Sequence, residues 1–421
     1  MSADKNAVIG KGSGRRILFL TPQLPYPPEQ GAAIRNYHLI TQVAKRHDIG
    51  LLSFAQHPSD DLGPLEQACS PLRVIPVPRR TMAQRLCTLM LSRDPDMAHR
   101  LRSSAYAEAL HELLTTHPFD IVQVEGIELA PYALLVRRWF GSKAPAILLD
   151  EHNAEYILQQ RAFEADVRQP RRWHGAFYSW MQWHRLMRFE RHVCQQADGV
   201  IAVSETDARA LRALSSEINP LVLPNGVDVQ RYHPALGDTL PLKHPAVVFT
   251  GRMDFRPNVD AMGWFYHHIW PQVRARVPDA HLYIVGKAPH PSVQALAADP
   301  SITVTGYVTD ILPYFGGADI FVVPLRMGGG TRLKVLEAMA AGLPLVSTTI
   351  GAEGIVGRSG EYLLLADTAE AFAEAVVDLL RNEAPRRALG MRAREYVLQH
   401  YDWQNLVPRL EELYASLPRR A

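Results

Sequence analysis

The chain is short of cysteine, of net charge and of long apolar runs, and each shortage closes off a class of protein. Three cysteines, Cys69, Cys87 and Cys194, are odd in number, widely spaced and without metal-ligand spacing. They exclude a disulfide framework and fit a reducing cytosol. Forty-five basic against 43 acidic residues leave a formal charge of +2, which gives no support to a general nucleic-acid binder. No stretch approaches the roughly 20 apolar residues of a membrane span. Arg15-Arg16 precede Ile17-Leu18-Phe19-Leu20, but Pro22 ends that run too early for a signal peptide. The expected location is cytoplasmic, at most peripheral on the inner face of the plasma membrane. Familiar catalytic motifs are missing as well: there is no Walker A, no G-x-S-x-G and no H-E-x-x-H. Asp94-Pro95-Asp96 spells D-x-D, but between basic helical segments it reads as a solvated turn, so no metal site is expected.

What is present is alternation. Apolar strands at Arg16–Thr21, Ile49–Phe54, Asp120–Glu125, Ala146–Asp150 and Gly199–Val203 are separated by amphipathic helices such as Ala33–Arg46 and Ala105–Thr115. The scheme repeats from Ala246–Thr250 through His281–Val285, Ile302–Thr305 and Asp319–Pro324 to Leu343–Thr348. Such a pattern predicts an α/β chain of two doubly wound parallel sheets with helices on both faces. The proline-rich stretch from Ser215 to Pro245 marks the seam. The expected division is a flexible leader over residues 1–14, a first domain over 15–222, a second over 223–400, and a final helix over 401–421 that packs on the first domain.

Ligands of open α/β sheets bind beyond the carboxyl ends of the strands, so those ends hold the candidate site. The richest is Gly328 to Gly342, read as a glycine-rich turn and a helix that buries Leu336, Met339, Ala340 and Leu343. Arg332 and Lys334 stand in its first turn, where the helix dipole disfavours cations by roughly 0.3–1 kcal/mol each. A phosphate at Gly329, Gly330 and Thr331 reverses that sign; snorkelling into solvent is the competing explanation. Glu337 suits a ribose or sugar diol or an ion pair with Lys334. Gly251-Arg252-Met253-Asp254 places a guanidinium at another strand end, free to fork onto a phosphate or to pair with Asp254. Gly286, Gly306 and Tyr307 make a rim against which a flat base can lie, or ordinary turns. In the first half, the proline-stiffened loop from Thr21 to Gly31 lacks a G-x-G-x-x-G fingerprint, which argues against a nicotinamide dehydrogenase. Gly31 admits a phosphate or opens a helix. His152, in Asp150-Glu151-His152-Asn153, either contacts a hydroxyl or belongs to a turn, and Glu125 is a weaker candidate. Ser204 with Asp207 reads as a capping box.

Taken together, Pro224-Asn225-Gly226-Val227-Asp228, Gly251 to Asp254, Ile284-Val285-Gly286, Val304 to Val308 and Gly328 to Gly342 resemble glycosyltransferase family 4, whose members have the GT-B fold. The wording Thr21 to Pro28 and Ile34-Arg35-Asn36 is similar to bacterial sugar transferases of exosortase-associated exopolysaccharide clusters. The resemblance implies two Rossmann-like domains facing across a cleft. It implies a nucleotide-diphosphate-sugar donor held by the second, a glycan or polyprenyl-linked acceptor held by the first, retention of anomeric configuration, and no metal or other cofactor. By the same resemblance Arg252 and Lys334 act on the donor diphosphate. Glu337 holds the ribose, Gly31 approaches the phosphate and His152 stands near the transferred sugar. Two departures are visible: Gly329 stands where a family glutamate is usual, and Asn258 stands where a basic residue is common, a charge Lys334 can replace. A non-hydrolysing nucleotide-sugar epimerase and an inactive sugar-nucleotide-binding scaffold are the competing readings.

Arg168 to His192 mixes arginines with Trp173, Phe177, Trp180 and Trp183 at helical spacing. The periodicity favours a helix that buries its aromatics in the first domain with solvated arginines. Peripheral contact with an anionic membrane is the alternative.

Overall fold

The computed structural model describes residues 14–29, 31–57, 61–167, 173–234, 240–328, 332–355 and 359–419. The remaining residues, including the first thirteen of the expected leader over residues 1–14 and the donor residues Gly329, Gly330 and Thr331, lie outside the described residues. The chain divides into two compact units, Met1–Leu223 with Val407–Ala421, and Pro224–Leu406.

In the first unit the strands are β1 (Arg16–Thr21), β2 (Asp48–Ala55), β3 (Leu72–Pro76), β4 (Ile121–Glu125), β5 (Ala146–Glu151), β6 (Gly199–Ala202) and β7 (Leu221–Val222). They form one parallel sheet in the order β3-β2-β1-β4-β5-β6-β7. In the second unit β8 (Ala246–Thr250), β9 (His281–Val285), β10 (Ile302–Gly306), β11 (Ile320–Val323), β12 (Leu345–Ser347) and β13 (Leu364–Leu365) form a second parallel sheet, β10-β9-β8-β11-β12-β13. Central strands such as Ile320–Val323 are apolar at every position because helices cover both sheet faces. The chain order reverses direction at β1/β4 in one sheet and at β8/β11 in the other, and ligand crevices of open sheets open at such switch points.

The seam falls at Leu223/Pro224, and the return to the first unit falls at Leu406/Val407, inside helix Trp403–Ser416. The expected boundary at 401 is too early because Trp403 is buried in the second unit. Its indole lies directly under Gly226, leaving no room for a Cβ there, and Val227 N donates to Tyr401 O at 2.8 Å. Beyond it the helix serves the first sheet. Tyr414 is fully buried and donates to Gln123 Oε1 in β4, and the Arg15 guanidinium donates to Leu417 O at 2.8 Å.

The expectation that the aromatic helix buries its aromatics is corrected. Helix Trp173–Gln196 buries Ala176, Ser179, Gln182, Leu186, Phe189 and Val193, while Trp173, Phe177 and Trp180 are exposed. The buried positions repeat every three or four residues, and small Ala176 and Ser179 let the helix sit close to its neighbours, which turns the larger rings outward. Among the described residues no helix is long and apolar enough to cross a membrane. Cys69 and Cys194 are buried free thiols and Cys87 is an exposed one.

Candidate active site

At the β8/β11 switch point, two glycines let the backbone pack tightly enough to admit a cation from the following helix. Gly251 (φ +155°) and Gly286 (φ +149°) follow β8 and β9, and a Cβ on Gly286 would be driven into the Gly251 carbonyl. Helix Leu333–Ala340 starts after the loop that leaves β11. Arg332 is its N-cap residue with no side-chain cap bond, and Val335, Leu336, Ala338, Met339 and Ala340 are its buried face. Lys334 Nζ reaches back to donate to Thr250 O at 2.6 Å and to Asn258 Oδ1 at 3.0 Å. It also lies 4.2 Å from the centre of the Phe249 ring. Burial, followed by the charge of Arg332, pushes the ammonium down to about 7, with Glu337 opposing. The snorkelling explanation is therefore wrong for Lys334, which turns inward.

Arg252 is half-exposed and forks onto Asp254, with Nε–Oδ1 3.2 Å and Nη2–Oδ2 2.7 Å. Asn258 joins it to the lysine, since Nδ2 donates to Arg252 O at 2.8 Å. Burial raises the Glu337 carboxyl above the usual range, against the opposing pull of the Tyr232 hydroxyl and the charge of Lys334. Gly306 (φ +69°) ends β10 with open space where a side chain would stand, and Tyr307 beside it is exposed.

In the first unit the switch point holds a buried polar network. Helix Gly31–Val43 begins at Gly31 and one turn later sends Arg35 and Asn36 into the interior. Arg35 grips Asp150 at the end of β5 with two nitrogens, Nε–Oδ2 2.9 Å and Nη2–Oδ1 3.2 Å. Asn36, with its amide oriented by the hydrogen-bond network, donates to Glu125 Oε2 at 2.8 Å and to Ala32 O at 3.2 Å. Glu125 also accepts from Gln123 Nε2 at 2.7 Å and meets His152 Nε2 at 3.1 Å. Burial and the charge of Asp150 push Glu125 up. Burial opposes charge on His152, but the Glu125 bond and the Asp150 charge outweigh it and raise the imidazole above its ordinary value. Glu125, Asp150 and His152 lie close enough to share a metal ion. Asp150, however, already holds the buried guanidinium of Arg35, a cation belonging to the chain.

The structure thus joins Arg252 to Lys334 through Asn258, and Gly31 to His152 through the side chains of Arg35, Asn36, Asp150 and Glu125. Gly306 and Tyr307 stand two strands from β8, at the same carboxyl edge of the sheet. Arg35, Asn36 and Gln123 are missed as site residues by sequence reasoning; a charged and an amide side chain on the inward face of helix Gly31–Val43 were the available signal. Ser204 caps helix Glu205–Leu214 as expected, accepting from Asp207 N at 3.1 Å. Asp96 of the D-x-D is engaged by Arg80 at 2.9 Å.

Two family descriptions match the two halves: Glycosyltransferase Family 4 over residues 30–231 and Glycosyl transferases group 1 over residues 244–382. A GDP-mannose-dependent alpha-(1-6)-phosphatidylinositol monomannoside mannosyltransferase of Mycolicibacterium smegmatis is 30% identical over 307 residues, covering 66% of this chain and 76% of that protein. The chain belongs to glycosyltransferase family 4. A 44.6 kDa protein in the cps region of Klebsiella pneumoniae is 23% identical across 92% of this family 4 chain and 96% of its own length. The fold is that of GT-B enzymes: sucrose-phosphate synthase from Thermosynechococcus elongatus superposes with a TM-score of 0.69 at 18% identity, over 95% of this chain and 98% of that one. The protein is a glycosyltransferase.

Proposed function

We propose that this glycosyltransferase takes its sugar from a nucleoside diphosphate sugar bound at the carboxyl edge of the second sheet. It passes the sugar, with retention of anomeric configuration and without a metal ion, to a glycan or lipid-linked acceptor bound by the first unit. The observation that carries this reading is Lys334. A half-buried ammonium is held among Thr250, Asn258 and Gly251, with its pKa lowered to about 7. A diphosphate is the ligand that restores that charge. Lys334, Arg252 and the amides of Gly329, Gly330 and Thr331 then take up the negative charge that grows on the leaving phosphate. Glu337 accepts from the ribose hydroxyls, Gly306 and Tyr307 flank the base, and Gly31 and His152 serve the phosphate and the transferred sugar from the first unit. Front-face attack with the departing phosphate taking the acceptor proton needs no protein nucleophile. Absence of a metal requirement is supported by Arg35, which fills the place a cation would take beside Asp150. A role in exopolysaccharide assembly is supported by the relative in a cps region, and a GDP-sugar donor by the mannosyltransferase relative.

The test is a thermal-shift screen over GDP, UDP and ADP sugars, then transfer in the presence of EDTA with NMR of the new anomeric centre. Retained configuration and undiminished EDTA-treated turnover support the reading. Inversion, metal dependence, donor isomerisation without transfer, or binding without turnover each overturn the part concerned.

A further inference from the structure

Nine of the fifteen large apolar side chains exposed among the described residues lie in two short stretches of the first unit, 77–91 and 173–180. Helix Met82–Leu91 buries none of its residues. Met82 is 77% and Leu91 82% exposed, with Leu86 and Met90 also open. It is nonetheless a well-started helix: Thr81 N donates to Gln84 Oε1 at 2.9 Å and Gln84 N to Thr81 Oγ1 at 3.2 Å, a reciprocal capping box. An amphipathic helix whose apolar face meets no protein among the described residues calls for another apolar medium to cover it.

Helix Trp173–Gln196 lies alongside. Arg185 Nη2 donates to Leu89 O at 3.0 Å, and Gln182 Oε1 accepts from Asp96 N at 2.8 Å. Its opening turns present Trp173 (64% exposed), Phe177 (62%) and Trp180, the last two stacked at 5.9 Å. Charge selects the occupant. Residues 77–96 contain Arg79, Arg80, Arg85 and Arg93 against Asp94 and Asp96, and 173–189 contain Arg185 and Arg188 and no acidic residue. Arg80 is neutralised by Asp96 and Arg185 is held by Leu89, while Arg79, Arg85, Arg93 and Arg188 are exposed. The neighbouring helix Glu155–Val167 contributes Glu164 and Asp166, the latter turned towards Ser179.

We propose that the outer faces of helices Met82–Leu91 and Trp173–Gln196 form one docking surface for an anionic lipid bilayer. Methionine, leucine and tryptophan side chains enter the boundary between headgroups and acyl chains, and the free arginines meet lipid phosphates. This deepens the proposed function and rests on it for one point, that the acceptor is lipid-linked. The same helix is fastened to the strand edge that carries His152. Glu190 accepts from Glu155 N at 2.8 Å and Tyr156 N at 2.9 Å, at the start of the helix that follows His152.

Flotation of the full chain with vesicles tests this, using phosphatidylcholine alone and equal parts of phosphatidylcholine and phosphatidylglycerol. The protein is expected to float with the anionic vesicles and not with the neutral ones. The double variant Leu86→Glu, Met90→Glu is expected to lose about tenfold or more in partitioning. Arg79→Gln and Arg85→Gln are expected to lose about fivefold each. Met391→Glu, an equally exposed position in the second unit, leaves partitioning unchanged. All these side chains are exposed, so melting temperature and the thermal shift with donor nucleotides stay as in the wild type. Failure at the membrane is thereby read separately from failure at the donor site. Absence of wild-type flotation, flotation that the double variant leaves intact, or a solution dimer that the double variant splits each overturns the proposal.

Discussion

Lys334 Nζ lies 3.0 Å from Asn258 Oδ1, and Asn258 donates in turn to Arg252 O at 2.8 Å, so the helix cation and the arginine loop belong to one bonded chain. Lys334→Ala is expected to cut transfer by roughly 10²–10³, the scale of losing one preorganised electrostatic stabiliser. Near-normal steady-state kinetics would end the assignment of the lysine.

The lysine also sets a pH dependence. Its pKa in the free protein is about 7, and the bound diphosphate requires the charged form, so the bound-state pKa is higher. Binding therefore takes up a proton at pH above about 7, and affinity for the donor sugar falls as pH rises through that range. Nucleotide sugars lack a phosphate ionisation near neutrality, which keeps the ligand's own titration out of the measurement. Calorimetry in buffers of different ionisation enthalpy reads the uptake directly, and Lys334→Met should abolish it.

Arg252 poses the opposite case, a half-exposed side chain whose pair with Asp254 is solvent-screened and adds little to folding. Arg252→Ala should leave the urea midpoint unchanged while reducing turnover by roughly 10²–10³. A parallel loss of stability and activity would mean that the arginine is structural.

Arg35→Ala leaves the Asp150 carboxylate buried and without its guanidinium. A loss of about 3–5 kcal/mol in unfolding free energy is expected, measured by urea titration. Pairing it with Asp150→Leu removes the stranded charge, and part of that loss should return.

Close approach at the second switch point is equally exposed to test. Gly286→Ala forces a methyl against the Gly251 carbonyl and is expected to cost at least about 1–3 kcal/mol. The same backbone shift moves Thr250 O away from Lys334, so donor affinity should fall with stability in this variant, unlike in Arg252→Ala.

The strands were legible because burial on both faces writes them as unbroken apolar runs; Arg16–Thr21, Ala246–Thr250 and His281–Val285 have the expected bounds to the residue. The glycine-flanked strand ends and the inward face of helix Leu333–Ala340 were readable for the same local reasons. Arg35 was not, since its meaning lies in Asp150, 115 positions away. Periodicity located the aromatic helix but misjudged its orientation: Ala176 and Ser179 are weak hydrophobic signals beside three tryptophans, yet they set the packed side.

Helix Trp403–Ser416 gives synthesis a timetable. Glu411, Tyr414 and Leu417 complete the first unit, although the 183 residues of Pro224–Leu406 come between. At about 5–20 residues per second the first sheet waits roughly 10–40 s for them. Throughout that interval Gln123 lacks its Tyr414 partner at the root of the Glu125–His152 network. A nascent chain carrying only the first sheet thus lacks Leu410, Tyr414 and Leu417, buried parts of its own core.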